Sequence, residues 1–321
     1  MRLACLTVLL LCAGLADARP RRPHRAPPEP APDLWQRAIE PHGAVVANLL
    51  GKARDAMSRP ERGMDAEWAV DHREAFFRDA YHLLREARRL SPENTEVLAL
   101  LGHAADEIGK TREAIDALET CVRLVGADRA SAEVTGRLGA LELRRGHRDA
   151  AIRWLRYAQG TSSLMGNGEW LVYLATALSE RGELAAATEV LSRVMPSSIP
   201  YFNPEAALVA FALAVLYDRD EQRAAAFTTL DKMQASLSQM YATQLQQQLV
   251  RFRFVPGEDQ HYYLALFYES LGEYIEARAE WALYAASGDT PWRARALDHI
   301  AAIDAQRRAN PTIKPTQLKT K

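Results

Sequence analysis

The chain has 321 residues, 48 % of them apolar and 25 % charged, with a formal net charge of −1. That is apolar material for one large core or two ordinary ones. The near-zero charge excludes a bulk electrostatic pull toward nucleic acid or anionic membrane.

Residues 1–18 read as a signal peptide. Met1-Arg2 supplies a basic start, Leu3 to Leu15 an apolar run, and Ala16-Asp17-Ala18 a small-x-small cleavage site. The run of about 13 residues falls short of the roughly 20 that a membrane-spanning helix needs, so no spanning helix is expected in the mature chain. Lipid attachment at Cys12 would want a small residue before it, and Leu11 stands there. The expectation is export, periplasmic or secreted, with cleavage after Ala18. Cys5 and Cys12 then leave with the signal and only Cys121 remains, which excludes an internal disulfide and a cysteine-rich metal site.

Residues 19–33 (RPRRPHRAPPEPAPD) hold almost nothing that could be buried and favour an extended, solvated linker. From residue 34 to 309 the apolar residues recur at three and four, as amphipathic helices require, with no sustained alternation. Leu34 to Met57 is predicted to cover the first helix pair, and Ala80, Leu84, Ala87 and Pro92 read as the second half of an early unit.

A repeat begins at Thr95. Leu98, Leu101 and Gly102 share one helix, Gly109 closes it, and Ala114, Leu118 and Cys121 share the next. About 37 residues on, the pattern returns as Leu138, Gly139, Gly146, Ala151, Leu155 and Ala158. About 36 further it is Leu174, Ala175, Gly182, Ala187, Leu191 and Val194. A looser copy carries Leu213, Ala214, Tyr217, Ala226, Leu230 and Met233, and a last one Leu264, Ala265, Tyr268, Gly272, Ala277, Trp281 and Tyr284. The small residue at the eighth place of each unit lets two helices approach, and the large one at the twenty-fourth place (Leu118, Leu155, Leu191, Leu230, Trp281) fills the room left. The turn glycines can take positive φ and end the first helix.

These residues resemble the tetratricopeptide (TPR) family, over roughly Asp65 to Ala286, with the clearest copies at 95–128, 132–165, 168–201 and 258–290. Related Sel1-like helical repeats also suit individual copies. The resemblance implies an all-α solenoid of about five to six stacked antiparallel helix pairs, since one unit cannot bury its own apolar face. About 51 residues separate the last two turn positions, leaving an insert (Ser236 to Asp259) that contains room for a further helix. Pro291 to Arg308 suits a C-terminal capping helix with Leu297, Ile300, Ala301 and Ile303 on its inner stripe. Residues 310–321 read as a disordered tail.

No catalytic, cofactor-binding or metal-binding constellation is legible. The histidines make no HxxxH or HExxH pattern, Gly166-Asn167-Gly168 lacks the strand and lysine of a phosphate loop, and Cys121 stands where the repeat wants a small buried filler. The chain therefore reads as a non-catalytic scaffold for a protein or peptide partner. What the TPR resemblance implies about its site is a concave groove lined by the first helix of each pair. Its candidate residues are Glu96, Ala99, His103, Asp106, Glu133, Leu143, Glu169, Val172, Phe211, Asp218, Asp259, Tyr262 and Glu269. The set is acidic at many unit starts and apolar toward Phe211 and Tyr262, whose register points it away from the helix-pair core. The lysine and asparagine of the family's carboxylate clamp are replaced by residues such as Ala99 and His103, so a basic or amphipathic partner fits better. Two alternatives stand beside this reading. One is a self-associating homo-oligomer built through Gln244, Gln246, Gln247 and Gln248. The other is a ligand-binding or enzymatic protein using the insert at 236–259.

Overall fold

A computed structural model describes residues 41–62, 66–160, 168–194, 204–237 and 240–309. The signal, linker and tail expectations at 1–18, 19–33 and 310–321 lie outside these residues. The chain divides at Ala44 into two units, and the second, Val45–Lys321, carries the helix stack.

The described residues form fourteen helices and no strand. They are α1 (Gly43–Arg62), α2 (Ala66–Leu90), α3 (Thr95–Glu107), α4 (Thr111–Val125), α5 (Ala132–Arg144), α6 (Arg148–Gly160) and α7 (Gly168–Glu180). After them come α8 (Leu184–Val194), α9 (Pro204–Arg219), α10 (Arg223–Leu237), α11 (Met240–Arg251), α12 (Asp259–Ser270), α13 (Tyr274–Ala286) and α14 (Arg293–Ala309). Five antiparallel pairs, α3/α4, α5/α6, α7/α8, α9/α10 and α12/α13, make the TPR-type stack, and each pair packs against a neighbour.

The start and stop signals are local. The Asn94 side chain accepts the backbone N–H groups of Glu96 (3.1 Å) and Val97 (3.0 Å), and Ser131 accepts that of Val134 (3.4 Å), so donors that a helix leaves orphaned are satisfied. Each pair then turns in the same way. The N–H of Lys110, His147, Glu183, Gln222 and Glu273 reaches back to the carbonyl of Ala105, Glu142, Leu178, Tyr217 and Tyr268 at 2.8–2.9 Å. The residue just before each takes φ between +58° and +84°: Gly109, Gly146, Gly182 and Gly272, with Glu221 in the loose copy. The turn geometry therefore persists where the glycine does not.

Pair packing depends on the small eighth place. A Cβ on Gly102 would lie 2.4 Å from Leu118 Cγ, and one on Gly139 2.4 Å from Leu155 Cγ. The residue at the twenty-fourth place thus occupies the volume that a side chain at the eighth would need. Val46, Leu49, Leu50, Ala53 and Ala56 of α1 share a core with Phe77, Ala80 and Tyr81 of α2 and with α3 and α4. The larger core runs from α5 through α14 and includes Leu245 and Leu249 of α11, the insert helix, which packs against α9 and α12.

The capping helix differs from the expected register. Ala296, His299 and Ile303 face inward, whereas Leu297 is 49 % exposed, Ala301 is exposed and Ile300 is only partly covered. The physical reason is the charge network that joins His299 to Asp218 and Glu269, which outweighs the apolar stripe.

Candidate partner-binding face

The first helices α3, α5, α7, α9 and α12 place the predicted groove residues on neighbouring helices, but in two different environments.

On α3, α5 and α7 the positions are partly open. Glu96 is exposed and pairs with Arg54 of α1, and Ala99 is half-buried. His103 lies beside the Phe77 ring, centroids 5.3 Å apart, with Nε2 3.6 Å from Glu107 and Nδ1 3.8 Å from Glu133. Asp106 is 5 % exposed and is held by Arg137 (2.9 Å) and Arg144 of α5. Arg137 also meets Glu133 (2.7 Å) and Glu107 (3.5 Å), and its guanidinium stands 5.7 Å from the Trp170 ring centre. Leu143 and Val172 are buried.

The electrostatics follow from this crowding. Burial alone would lower the Arg137 pKa, but Glu133 and Asp106 more than offset it and raise it further. Burial pushes the Glu107 carboxyl up, yet hydrogen bonds from His103 and Arg73 and the charges of Arg73 and Arg253 hold it well below the usual range. Glu133 is likewise raised by burial and lowered overall by Arg137. Glu169 behaves differently. Its side chain reaches solvent and forms no ion pair among the described residues, but the surrounding protein desolvates it, and Glu133, Glu107 and Asp106 add repulsion. The charge of Arg137 opposes these effects, and the carboxyl is raised on balance. The other acids of this face are each met by an arginine, and Glu169 alone among them forms no ion pair among the described residues.

On α9 and α12 the same register is closed. Phe211 is fully buried against Tyr263 and Phe267. Tyr262, expected to point outward, is fully buried in edge contact with Trp281 and Tyr284, and its Oη donates to Asp218 at 2.6 Å. The expectation for Tyr262 fails because Trp281 and Tyr284 of α13 cover the ring and Asp218 of α9 takes its hydroxyl, while α14 brings further partners to Asp218. Arg295 Nη2 donates to Asp218 at 2.6 Å, while His299 sits between Asp218 (3.1 Å) and Glu269 (2.8 Å). The imidazole stacks on Trp281 with centroids 4.3 Å apart, and Trp281 Nε1 donates to Glu269 at 3.0 Å. Burial would lower the His299 pKa, but the hydrogen bonds to Asp218 and Glu269 raise it to about 9. Asp259 pairs with Arg219 at 2.8 Å, both almost fully buried, with the rings of Tyr262 (4.7 Å), Trp292 (5.5 Å) and Tyr263 (6.0 Å) around the guanidinium. These contacts fasten α14 and α12 to the stack.

Sequence reasoning missed Glu107, Arg137, Tyr173, Arg219, Arg253 and His299. Arg137 carried a readable signal, as a lone charge inside the small and apolar run from Val134 to Leu141. Arg253 carried none, since its partners lie about 146 residues away. Gly136 of α5 is covered by Trp170, whose ring a Cβ there would meet at 2.4 Å.

The described residues include no group of three or more metal-ligating side chains able to hold a metal ion, and no helix long and apolar enough to cross a membrane. Cys121 is buried, its Sγ 3.4 Å from the Thr95 carbonyl, and burial pushes its thiol up.

No protein-family model matches the chain, and a search of the curated proteins finds no match. Solved structures with related helix stacks include MamA, at 20 % identity over 58 % of this chain and 98 % of that one, with a TM-score of 0.43. Another is YrrB, described as a TPR protein with an unusual peptide-binding site, at 18 % identity over 68 % and 100 %, TM-score 0.43. A third is the Cut9–Hcn1 assembly, at 15 % identity over 80 % and 46 %, TM-score 0.46.

Proposed function

We propose that this chain is an exported, non-catalytic scaffold that captures a positively charged segment of a partner protein on the face of α3, α5 and α7. The observation that carries this reading is the Glu169 carboxylate, which no described cation pairs. It is exposed, without an ion pair among the described residues, and repelled by Glu133, Glu107 and Asp106, with the charge of Arg137 opposing them. A cation from a partner would relieve that repulsion and gain several charge-assisted contacts at once. Asp218, Asp259 and Glu269 are spoken for by buried partners and take no part.

The test is affinity capture from the native organism with the wild-type protein and a Glu133→Lys/Glu169→Lys variant. A genuine partner binds the wild type, elutes as salt is raised, and is absent from the variant. An identical set of captured proteins would reject the acidic face as the site. Export is tested separately, by the mass of the mature chain, which should begin at Arg19.

A second reading has one observation of its own. On α11, Gln246 and Gln247 are exposed beside Val250, which is 63 % exposed, a face suited to a second copy. Light scattering separates the two: one monomeric mass at all concentrations removes self-association.

A further inference from the structure

After α11 the chain does not turn directly into the next pair. Residues 252–256 (Phe-Arg-Phe-Val-Pro) run without helix across the first-helix face. Phe252 stacks on Tyr173 of α7, centroids 4.7 Å apart and planes 26° from parallel, and Tyr173 Oη donates to the Arg253 carbonyl at 2.8 Å. Arg253 then reaches the far side of the face. Its Nη2 meets Glu107 Oε2 at 3.0 Å, and its guanidinium lies 3.4 Å from the Asp106 carbonyl and 3.5 Å from that of Glu107. Those carbonyls end α3, where the helix dipole is negative, so one cation answers both the dipole and two carboxylates. Phe254 packs on Tyr263 of α12 at 4.8 Å.

These contacts have the form of peptide recognition: one backbone carbonyl is gripped, two aromatic side chains are seated, and one arginine is read by acids. They also differ from the ion pairs that hold the stack together. Arg253 remains 44 % exposed, whereas the side chains of Arg219 and Asp259 are 2 % and 7 % exposed. Releasing Arg253 returns it to water, while Phe252 is buried in the core, so the segment leaves only as another aromatic side chain takes that place.

We propose that residues 252–256 are a tethered ligand occupying the acidic face in cis, and that this site accepts an extended peptide bearing an arginine flanked by aromatic residues. The inference rests on the reading of α3, α5 and α7 as the partner face. A tethered segment competes at an effective concentration of roughly millimolar, so a free peptide of micromolar affinity is held off by a factor on the order of a hundred or more.

The experiment uses the full mature chain and a fluorescent peptide of residues 250–257 (VRFRFVPG), titrated by anisotropy. Wild type should bind it weakly. A Phe252→Ala/Arg253→Ala variant should bind at least tenfold more tightly, and adding Glu107→Gln and Tyr173→Leu should abolish the gain. A peptide with the arginine equivalent to Arg253 replaced by alanine, and that of Arg251 kept, should not bind the freed face. A folded variant, with unchanged far-ultraviolet dichroism, that binds the peptide no better than wild type overturns the proposal. Should the double variant unfold, Arg253→Ala alone changes only the half-exposed side chain and is read by the same criterion. Partner capture by wild type without peptide binding by the freed variant would sink the tether and spare the scaffold reading. Peptide binding by the freed variant supports the tether even where no cellular partner is captured.

Discussion

Replacing His299 by glutamine should remove a pH dependence that the C-terminal helix otherwise carries. His299 holds its proton more tightly folded than unfolded, with a pKa raised from 6.5 to about 9 by Asp218 and Glu269. Its contribution is therefore complete below about pH 6.5 and is lost as pH rises through about 9. At about 1.4 kcal/mol for each unit, the shift corresponds to roughly 3 kcal/mol, with Asp218 on the other side of the same interaction and not to be added again. Asp218 is raised by burial but held below the usual carboxylate range by His299 and Arg295, so its own loss comes only at strongly acid pH. Stability should thus be level between about pH 4 and 6.5 on these groups, then fall. Stacked helix pairs unfold piecewise, so the measurement is hydrogen exchange of peptides within 293–309, corrected for intrinsic rates, from pH 6 to 10. Wild type should lose up to roughly 3 kcal/mol of local protection across that range. The glutamine variant should start lower and stay flat. A wild-type profile independent of pH, or a variant with the same slope, would refute the assignment of the proton to His299.

Three further substitutions test the packing. Gly102→Ala gains about 1 kcal/mol of helix propensity but drives a methyl to 2.4 Å from Leu118 Cγ, so a net loss of roughly 1–3 kcal/mol is expected in urea, and a more stable variant would contradict the close approach. Glu221→Gly relieves a residue at φ 58°, and the gain should be about 1 kcal/mol or less after the added freedom of the unfolded chain; a lower urea midpoint would count against it. Asp259→Ala strands the buried Arg219 guanidinium and should cost roughly 3–5 kcal/mol, while Arg219→Met with Asp259→Leu should recover most of it. A single variant within 1 kcal/mol of wild type would show that the pair is solvated.

The stack was legible because its determinants are local and periodic. Gly102 and Leu118 lie sixteen residues apart, within one helix pair, and meet through regular geometry alone. Glu221 shows the limit of that legibility: a turn drawn by glycine elsewhere is kept by the surrounding helices where the glycine is missing. The site was less legible because groove register fixes only the direction a side chain leaves its own helix. What covers it comes from elsewhere, as Tyr262 demonstrates against Trp281 and Tyr284 of α13 and Phe211 against Tyr263 and Phe267 of α12. His299 drew no attention because its two carboxylates, Asp218 and Glu269, lie 81 and 30 residues away in sequence.

Asp106, Asp218 and Glu269 occupy the same place in their units, the twelfth, at the C-terminal end of a first helix. In each copy that carboxylate is met by a cation from later in the chain: Arg137, Arg144 and Arg253 for Asp106, Arg295 and His299 for Asp218, His299 for Glu269. The recurrence has a physical cause, since helix carbonyls and a carboxylate at one end of a helix make the most negative point on the face. What separates the copies is water. The His299 side chain is 5 % exposed and Arg295 17 %, so withdrawing either from Asp218 leaves a charge in the core. Arg253 is 44 % exposed, and Arg137 and Arg144 stay on Asp106 when it leaves. The same register position is therefore met by largely buried cations under α14 and, on α3, by one half-exposed cation beside two better covered ones. On the proposed reading, that difference in solvation sets which end of the stack would trade its own arginine for a partner's.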